Sequence, residues 1–191
     1  MNFPSPFSTD DAAEEPFDPP ESFVPENLPE PGPFLREHHV LTGEDHVAFH
    51  TLTRESFEER GVYDVTFGYN LTRLNRDTRH PDAGFRYAED ADEPGVLRAE
   101  FTPTTEFCPQ GKTLVTAAFR AWNGLPDRHD YDLVRVRIAP SHQASTATNE
   151  VLAGLEDAYR ETGEIPDPDE LDAAVDGLDS GAGGPGPTAP Y

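Results

Sequence analysis

The sequence predicts an α+β fold: one small domain whose short three-stranded sheet is covered by helices in the order α-β-β-α-β-α. Three observations predict it. Apolar and polar residues alternate with the period of a half-buried strand in three short runs. Apolar residues recur at helical spacing before, between and after those runs. All 14 Lys and Arg residues fall between positions 34 and 165. Outside that span the first 33 residues hold nine prolines and eight acids and no base, a composition that buries too little apolar surface to offset the entropy of ordering. Residues 1–33 therefore read as a disordered acidic, Pro-rich tail, 34–165 as the folded domain, and 166–191 as a second acidic, Gly/Pro-rich tail with a short helix near Leu171 to Leu178.

The elements follow in order. A short helix after Thr53 stops at Gly61. Val65, Phe67, Tyr69 and Leu71 then alternate with Thr66, Gly68 and Asn70 as a first strand. Charge, Pro and Gly fill 73–95, which reads as a long excursion between paired strands. Leu97, Ala99 and Phe101 make a second strand. Pro109 suits a first helical turn, and Leu114, Ala117, Ala118, Ala121 and Trp122 carry a helix over 109–123 to the stop at Gly124 and Pro126. Phe119 and Trp122 read as core. Val134, Val136 and Ile138 mark the third strand, and Val151, Leu152, Leu155 and Tyr159 the last helix.

Acids number 37 against 14 bases, and Lys112 is the only lysine. A net charge of −23 repels itself in dilute buffer, whereas molar salt, with a Debye length of roughly 3 Å, removes most of that penalty. The composition reads as adaptation to a salt-filled cytoplasm. It disfavours nucleic acid and anionic membranes, which need clustered Lys and Arg. No apolar run approaches the roughly 20 residues of a membrane span, and Met1 to Pro20 lacks a signal pattern, so the expected location is cytoplasmic. A single cysteine excludes an internal disulfide and a thiolate zinc cage, and leaves the Asn70-Leu71-Thr72 sequon without significance.

Cys108 is the chemically distinctive residue. Preceding Pro109, it falls at or next to the N-cap of the expected helix, where unpaired N–H groups and the helix dipole favour a thiolate that serves as nucleophile or metal ligand. The bland alternative is a buried, inert cysteine.

The segment Phe101-Thr102-Pro103-Thr104-Thr105-Glu106-Phe107-Cys108 resembles the strand-to-loop motif of the iron-sulfur cluster assembly domain family, SufT/PaaD-like and most similar to the eukaryotic cytosolic targeting factors, which reads Phe-Thr-Pro-Thr, three residues, then Cys. The similarity extends to Leu52-Thr53-Arg54-Glu55-Ser56-Phe57, Gly61-Val62-Tyr63-Asp64-Val65, Gly124-Leu125-Pro126, Ile138-Ala139-Pro140, Ala144-Ser145 and Asn149, over most of 51–155. The chain departs from the pattern in lacking an opening Asp-Pro-Glu, in the length of 73–95, and in carrying His142-Gln143-Ala144-Ser145 where the family has Thr-His-Ala-Ser. The resemblance implies a non-enzymatic factor delivering iron-sulfur clusters to recipient proteins. Cys108 is the implied metal ligand, with Thr102 and Thr104 beside it in the cluster-binding motif, and the partners are recipient apoproteins and other assembly factors. One cysteine supplies one ligand where a cluster usually takes four, so ligation is expected to be transient or shared, across a homodimer or with a partner's thiols.

Other chemistries are set aside. Gly111-Lys112-Thr113 echoes a phosphate loop, but Glu106 stands where its first glycine belongs. His38, His39, His46 and His50 form a loose group in which His46 and His50 share a helical face, without the glutamate of a zinc protease. No Gly-x-Ser-x-Gly is present. A thiol-dependent enzyme would use Cys108 with His129 or His142, and an adaptor would keep the fold with an idle cysteine.

Overall fold

In the computed structural model of the chain, which describes residues 16–166, helix α1 runs over Gly43–Arg60. Glu44 and Asp45 in its first turn meet the positive end of the helix dipole, and Gly61 ends it at φ 69°, in the left-handed region, donating its N–H to Phe57 O. The helix starts well before the expected Thr53. The reason is its buried stripe, His46, Phe49, Thr53, Ser56 and Phe57, in which polar side chains stand where an apolar pattern would have signalled a helix. Thr53 is satisfied there: its Oγ1 donates to Phe49 O (2.9 Å) and accepts from Trp122 Nε1 (3.1 Å).

The strand expected over 65–71 does not form. Instead β2 (Tyr63–Asp64) pairs antiparallel with β3 (Tyr69–Asn70) in a separate small hairpin, followed by a 3-10 turn over Leu71–Arg76. Asp64 Oδ1 accepts from the N–H groups of Thr66 and Phe67, and Gly68 takes a positive φ, so turn chemistry overrides the alternation and leaves Val65 81% exposed.

The missing strand lies inside the expected excursion. The main sheet has four strands, not three, in the order β1 (His39–Val40), β4 (Gly84–Glu89), β5 (Val96–Thr102), β6 (Leu133–Ile138). β4 and β5 are antiparallel, with Phe85 opposite Phe101, while β5 and β6 are parallel and joined through α2 (Gly111–Asn123). Helix α3 (Ser145–Thr162) follows β6. The longer elements thus keep the predicted order α-β-β-α-β-α, with the first strand moved to 84–89.

One face of this sheet makes the core. Phe85, Tyr87, Leu97, Ala99, Phe101, Val134, Val136 and Ile138 pack with Phe57, Phe119, Trp122, Leu152 and Leu155 in one buried cluster. Trp122 and Phe119 are core residues, as expected.

Asparagines close the sheet where β4 runs beyond the short β1 and along the edge strand β6. Asn75 donates Nδ2–H to Phe85 O and accepts Phe85 N–H at Oδ1, both at 2.7 Å. Asn123 does the same for Val134 (2.9 and 2.8 Å), and Asn149 for Ile138 (3.0 and 2.9 Å). Each amide stands in for a neighbouring strand, satisfying two edge groups that would otherwise be stranded.

The other face is polar. Arg86, Glu100 and Arg137 stand side by side in register, as do Arg98 and Arg135 in the adjoining row. The N-terminal segment lies over them: Pro29 O accepts from Arg86 Nη1 (3.1 Å), Gly32 N–H donates to Glu100 Oε1 (2.7 Å), and the Phe34 ring sits 4.8 Å from the Arg98 guanidinium and 5.4 Å from that of Arg137. Phe17 covers Arg73 at 3.8 Å. Leu28 and Leu35 of this segment are themselves buried. The ordered unit therefore begins by residue 16 rather than 34, because phenylalanines stacked on arginines, together with the buried Leu28 and Leu35, tie the segment to the domain. Residues 1–15 and 167–191, with the helix expected near Leu171 to Leu178, lie outside the described residues. No helix among the described residues is long and apolar enough to cross a membrane.

Candidate functional site

Cys108 lies on the loop that carries the chain from β5 to α2. Thr102 closes β5 opposite Gly84, Pro103 is buried, Thr104 sits in the bend that follows, and the chain reaches Cys108 through the exposed residues Thr105, Glu106 and Phe107. The thiol is free and half-buried. The N-cap of α2 is Gln110, so Cys108 stands two residues before the cap and Pro109 precedes the helix instead of opening it. Gly111, the first helical residue, donates its N–H to Cys108 O (3.1 Å), which closes a turn ahead of the helix and shifts the start by two residues.

The loop is tied to the turn that enters α3. Gln143 N–H donates to Glu106 O (2.9 Å), and Ala139 N–H donates to Phe101 O (2.8 Å). His142, 4% exposed, accepts the Ala144 N–H at Nδ1 (3.3 Å), which leaves Nε2 as its protonated nitrogen, donating to Cys108 O (3.0 Å). A side chain on Gly111 would meet His142 Nε2 at 3.0 Å and Ile138 Cδ1 at 2.9 Å, so glycine is what lets the helix start pack against this clamp. On the other side Gln110 Nε2 donates to Thr66 Oγ1 (3.0 Å), linking the loop to the β2–β3 hairpin. Phe107 on the cysteine loop is 65% exposed, and Val65, next to Thr66 in the hairpin, is exposed as well.

These contacts bear on the histidines that a thiol enzyme would need. His142 has both ring nitrogens engaged with backbone groups. So has His129, which meets Trp122 O at Nε2 (3.1 Å) and the Tyr131 N–H at Nδ1 (3.3 Å). Neither is free to take a proton from Cys108.

Residues 15–166 match a family model described as a domain of unknown function, DUF7998. The chain belongs to the DUF7998 family. No curated protein and no solved structure matches it. The matched span in this DUF7998 chain begins at the N-terminal segment over the polar sheet face, so that segment is part of the family's domain.

The four N-terminal histidines of the DUF7998 domain do not converge. His46 and His50 share one face of α1, as their spacing predicts, and stack with centroids 5.5 Å apart. His50 is bonded at both nitrogens, to Tyr87 Oη (2.7 Å) and Thr72 O (3.0 Å). Burial holds both rings neutral, His46 down to about 3 and His50 down to about 4. His39 is exposed on β1. His38 belongs to another group, with Asp90 and Asp92, whose ligand atoms lie within 4.8 Å of one another. Asp90 has no oxygen to spare for a cation: it accepts from Arg98 Nε (2.7 Å), Arg135 Nη1 (3.1 Å) and the N–H groups of Asp92 (3.0 Å) and Glu93 (3.2 Å), while His38 Nδ1 accepts the Ala91 N–H (3.1 Å). The group is a structural knot between strand and turn.

Proposed function

We propose that this chain is a non-enzymatic iron-sulfur cluster assembly or targeting factor, in which Cys108 is one ligand of a cluster held as cargo and passed to a recipient protein. The observation that carries the reading is a free, half-buried thiol on a loop held by hydrogen bonds to Gln143 and His142, with Phe107 exposed beside it. A pinned loop presents the sulfur at a defined place. An exposed aromatic ring next to it offers apolar contact area to a recipient surface. The remaining ligands come from the recipient, another assembly factor or a second copy, since one cysteine cannot hold a cluster and the nearby histidine nitrogens are already bonded. The Phe-Thr-Pro-Thr to Cys motif and the α-β-β-α-β-α order of the longer elements support the same reading. The partners are recipient apoproteins in a salt-rich cytoplasm.

The test is anaerobic reconstitution with iron and sulfide in molar salt, in the presence of a dithiol. Visible charge-transfer absorption is expected in the full chain and is expected to vanish in Cys108→Ser. Absence of the band in the unaltered protein would instead favour an adaptor with an idle cysteine, a reading that the exposed Phe107 and Val65 also suit. Ester hydrolysis dependent on Cys108 would overturn both.

A further inference from the structure

Helix α2 buries Leu114, Val115, Phe119, Ala121 and Trp122 and turns Lys112, Thr113, Thr116, Ala117 and Arg120 the other way. That second side is the floor of a groove of about 950 Å³, walled by Arg60 at the end of α1 and by Tyr159 and Ile165. Its charge runs against the rest of the molecule. In a chain of 37 acids and 14 bases it gathers the single lysine and two arginines, Arg60 and Arg120, with Glu164 as its acid. Six other arginines, Arg79, Arg98, Arg128, Arg135, Arg137 and Arg160, are paired with carboxylates, while Arg36, Arg54, Arg73, Arg76 and Arg86 form no such pair among the described residues. The three groove cations are likewise unpaired among the described residues, and they are distinguished by lining one groove together. Arg60 donates to Gly124 O (2.7 Å) and Arg120 to Pro166 O (2.9 Å), contacts that hold the guanidinium groups in place without neutralising them.

The chain itself enters this groove. Glu164 and Ile165 line it, and the Pro166 carbonyl rests on Arg120. The residues that follow are Asp167, Pro168, Asp169, Glu170, Leu171 and Asp172. Lys112 and Arg120 are eight residues apart on one helix, about 12 Å. Four residues of fully extended chain span about 13 Å, the length of this floor, so a segment leaving Pro166 is long enough to bring its acids to Lys112.

We propose that the groove is the docking site of the chain's own acidic C-terminal segment, residues 167–172, whose carboxylates pair with Lys112, Arg60 and Arg120. Direct contact is required, because molar salt screens attraction beyond roughly 3 Å. The small side chains of the floor, Thr116 and Ala117, leave room for a backbone to lie close.

The lone lysine makes the test selective, since Lys112 carries the only side-chain amine that a zero-length carbodiimide can join to a carboxylate. The full chain is coupled at high dilution in molar salt, and the joined peptides are identified by mass spectrometry. An amide between Lys112 and Asp167, Asp169, Glu170 or Asp172 of the same chain is expected. Coupling only to Glu164 or other acids of residues 16–166, coupling between two chains, or no coupling overturns the proposal. A tail merely tethered nearby would also couple through its effective concentration. Thr113→Trp, an exposed position in the groove lining, fills the groove without altering charge. It is expected to lower the yield at least about fivefold with an unchanged melting temperature, and an unchanged yield overturns docking. Arg60→Gln, which touches the opposite wall, is expected to lower the yield by a smaller factor, and gives the same decision should the tryptophan disturb the helix.

Discussion

The two faces of the central sheet are held by different physics. On the inner face, Phe85, Tyr87, Leu97, Phe101, Val134 and Ile138 are shielded from water by α1, α2 and α3, and the stabilisation comes from apolar area and close packing, which have no preferred direction. On the outer face, Arg98, Arg135 and Arg137 are bridged by Asp90, Glu93 and Glu156, Arg86 and Glu100 bond to the backbone of the N-terminal segment, and Phe34 lies over Arg98 and Arg137, so each contact depends on one geometry. The comparison teaches where this acidic protein puts part of its positive charge: six of its arginines neutralise acids in ordered pairs, four of these along the sheet's outer side and α3.

The largest expected effect tests the inner face. Trp122 is 1% exposed, packs against Phe57 and Phe85 with centroids at 5.0 and 5.4 Å, and donates to Thr53. Trp122→Ala is expected to cost roughly 3–5 kcal/mol, by cavity formation and loss of the hydroxyl's partner. Urea unfolding read at two salt concentrations checks it. A loss that changes markedly with salt would mean that the inner face is not the apolar layer described.

Next comes the outer face. The Asp90 carboxylate, 1% exposed, binds two arginines and two backbone N–H groups. Asp90→Asn is expected to cost about 2–3 kcal/mol, less than a fully buried pair because both arginines remain partly exposed. Burial alone would raise this carboxyl, but the Arg98 and backbone hydrogen bonds outweigh it and hold it at about 2, below the ordinary 3.8. The sign follows: the folded form is the weaker proton binder, so its contribution is full above pH 3.8 and disappears as the pH falls from there toward 2. Denaturant midpoints of the two proteins should differ by a constant amount from pH 7 to pH 5 and converge below pH 4. Convergence already at pH 6 would assign the stability to another group.

This contrast also explains what could be read from the sequence. Leu97 to Phe101 and Val134 to Ile138 announced themselves because their inner residues are apolar and their outer ones charged. The same rule missed Phe85 and Tyr87, whose short strand is embedded among Pro81, Gly84 and a run of charges, and wrongly promoted Val65 to Leu71, where Asp64 and Gly68 impose a turn. The start of α1 was hidden by His46, Thr53 and Ser56 in buried positions. Composition hid residues 16–33, because their anchors are few and scattered: Phe17 on Arg73, Phe23 beside Arg86 and the buried Leu28. At the candidate site, Cys108 stood out by being alone. The clamp by His142 did not, since it depends on the Cys108 carbonyl, the Ala144 N–H and a glycine that come together only in the fold.

The smallest effect at neutral pH is expected where the two regimes meet, at His46, a polar ring placed against Tyr87 of the inner face and Phe23 of the N-terminal segment. Its Nδ1 has no partner among the described residues, and burial is the main reason that it protonates only at about 3. His46→Phe keeps an aromatic ring in the site and removes an unsatisfied nitrogen, so stability at pH 7 should change by less than about 1 kcal/mol. In acid the two proteins should separate. The unfolded histidine takes a proton near 6.5 and the folded one does not, so wild-type stability falls as the pH drops from 6.5 toward 3, by up to about 1.4 kcal/mol per pH unit from this one ring. The variant lacks that slope and should be the more stable protein by about 2 kcal/mol at pH 5. Parallel stability curves for the two proteins between pH 6.5 and 5 would show that His46 is hydrated in solution and that the N-terminal segment does not seal this side of α1.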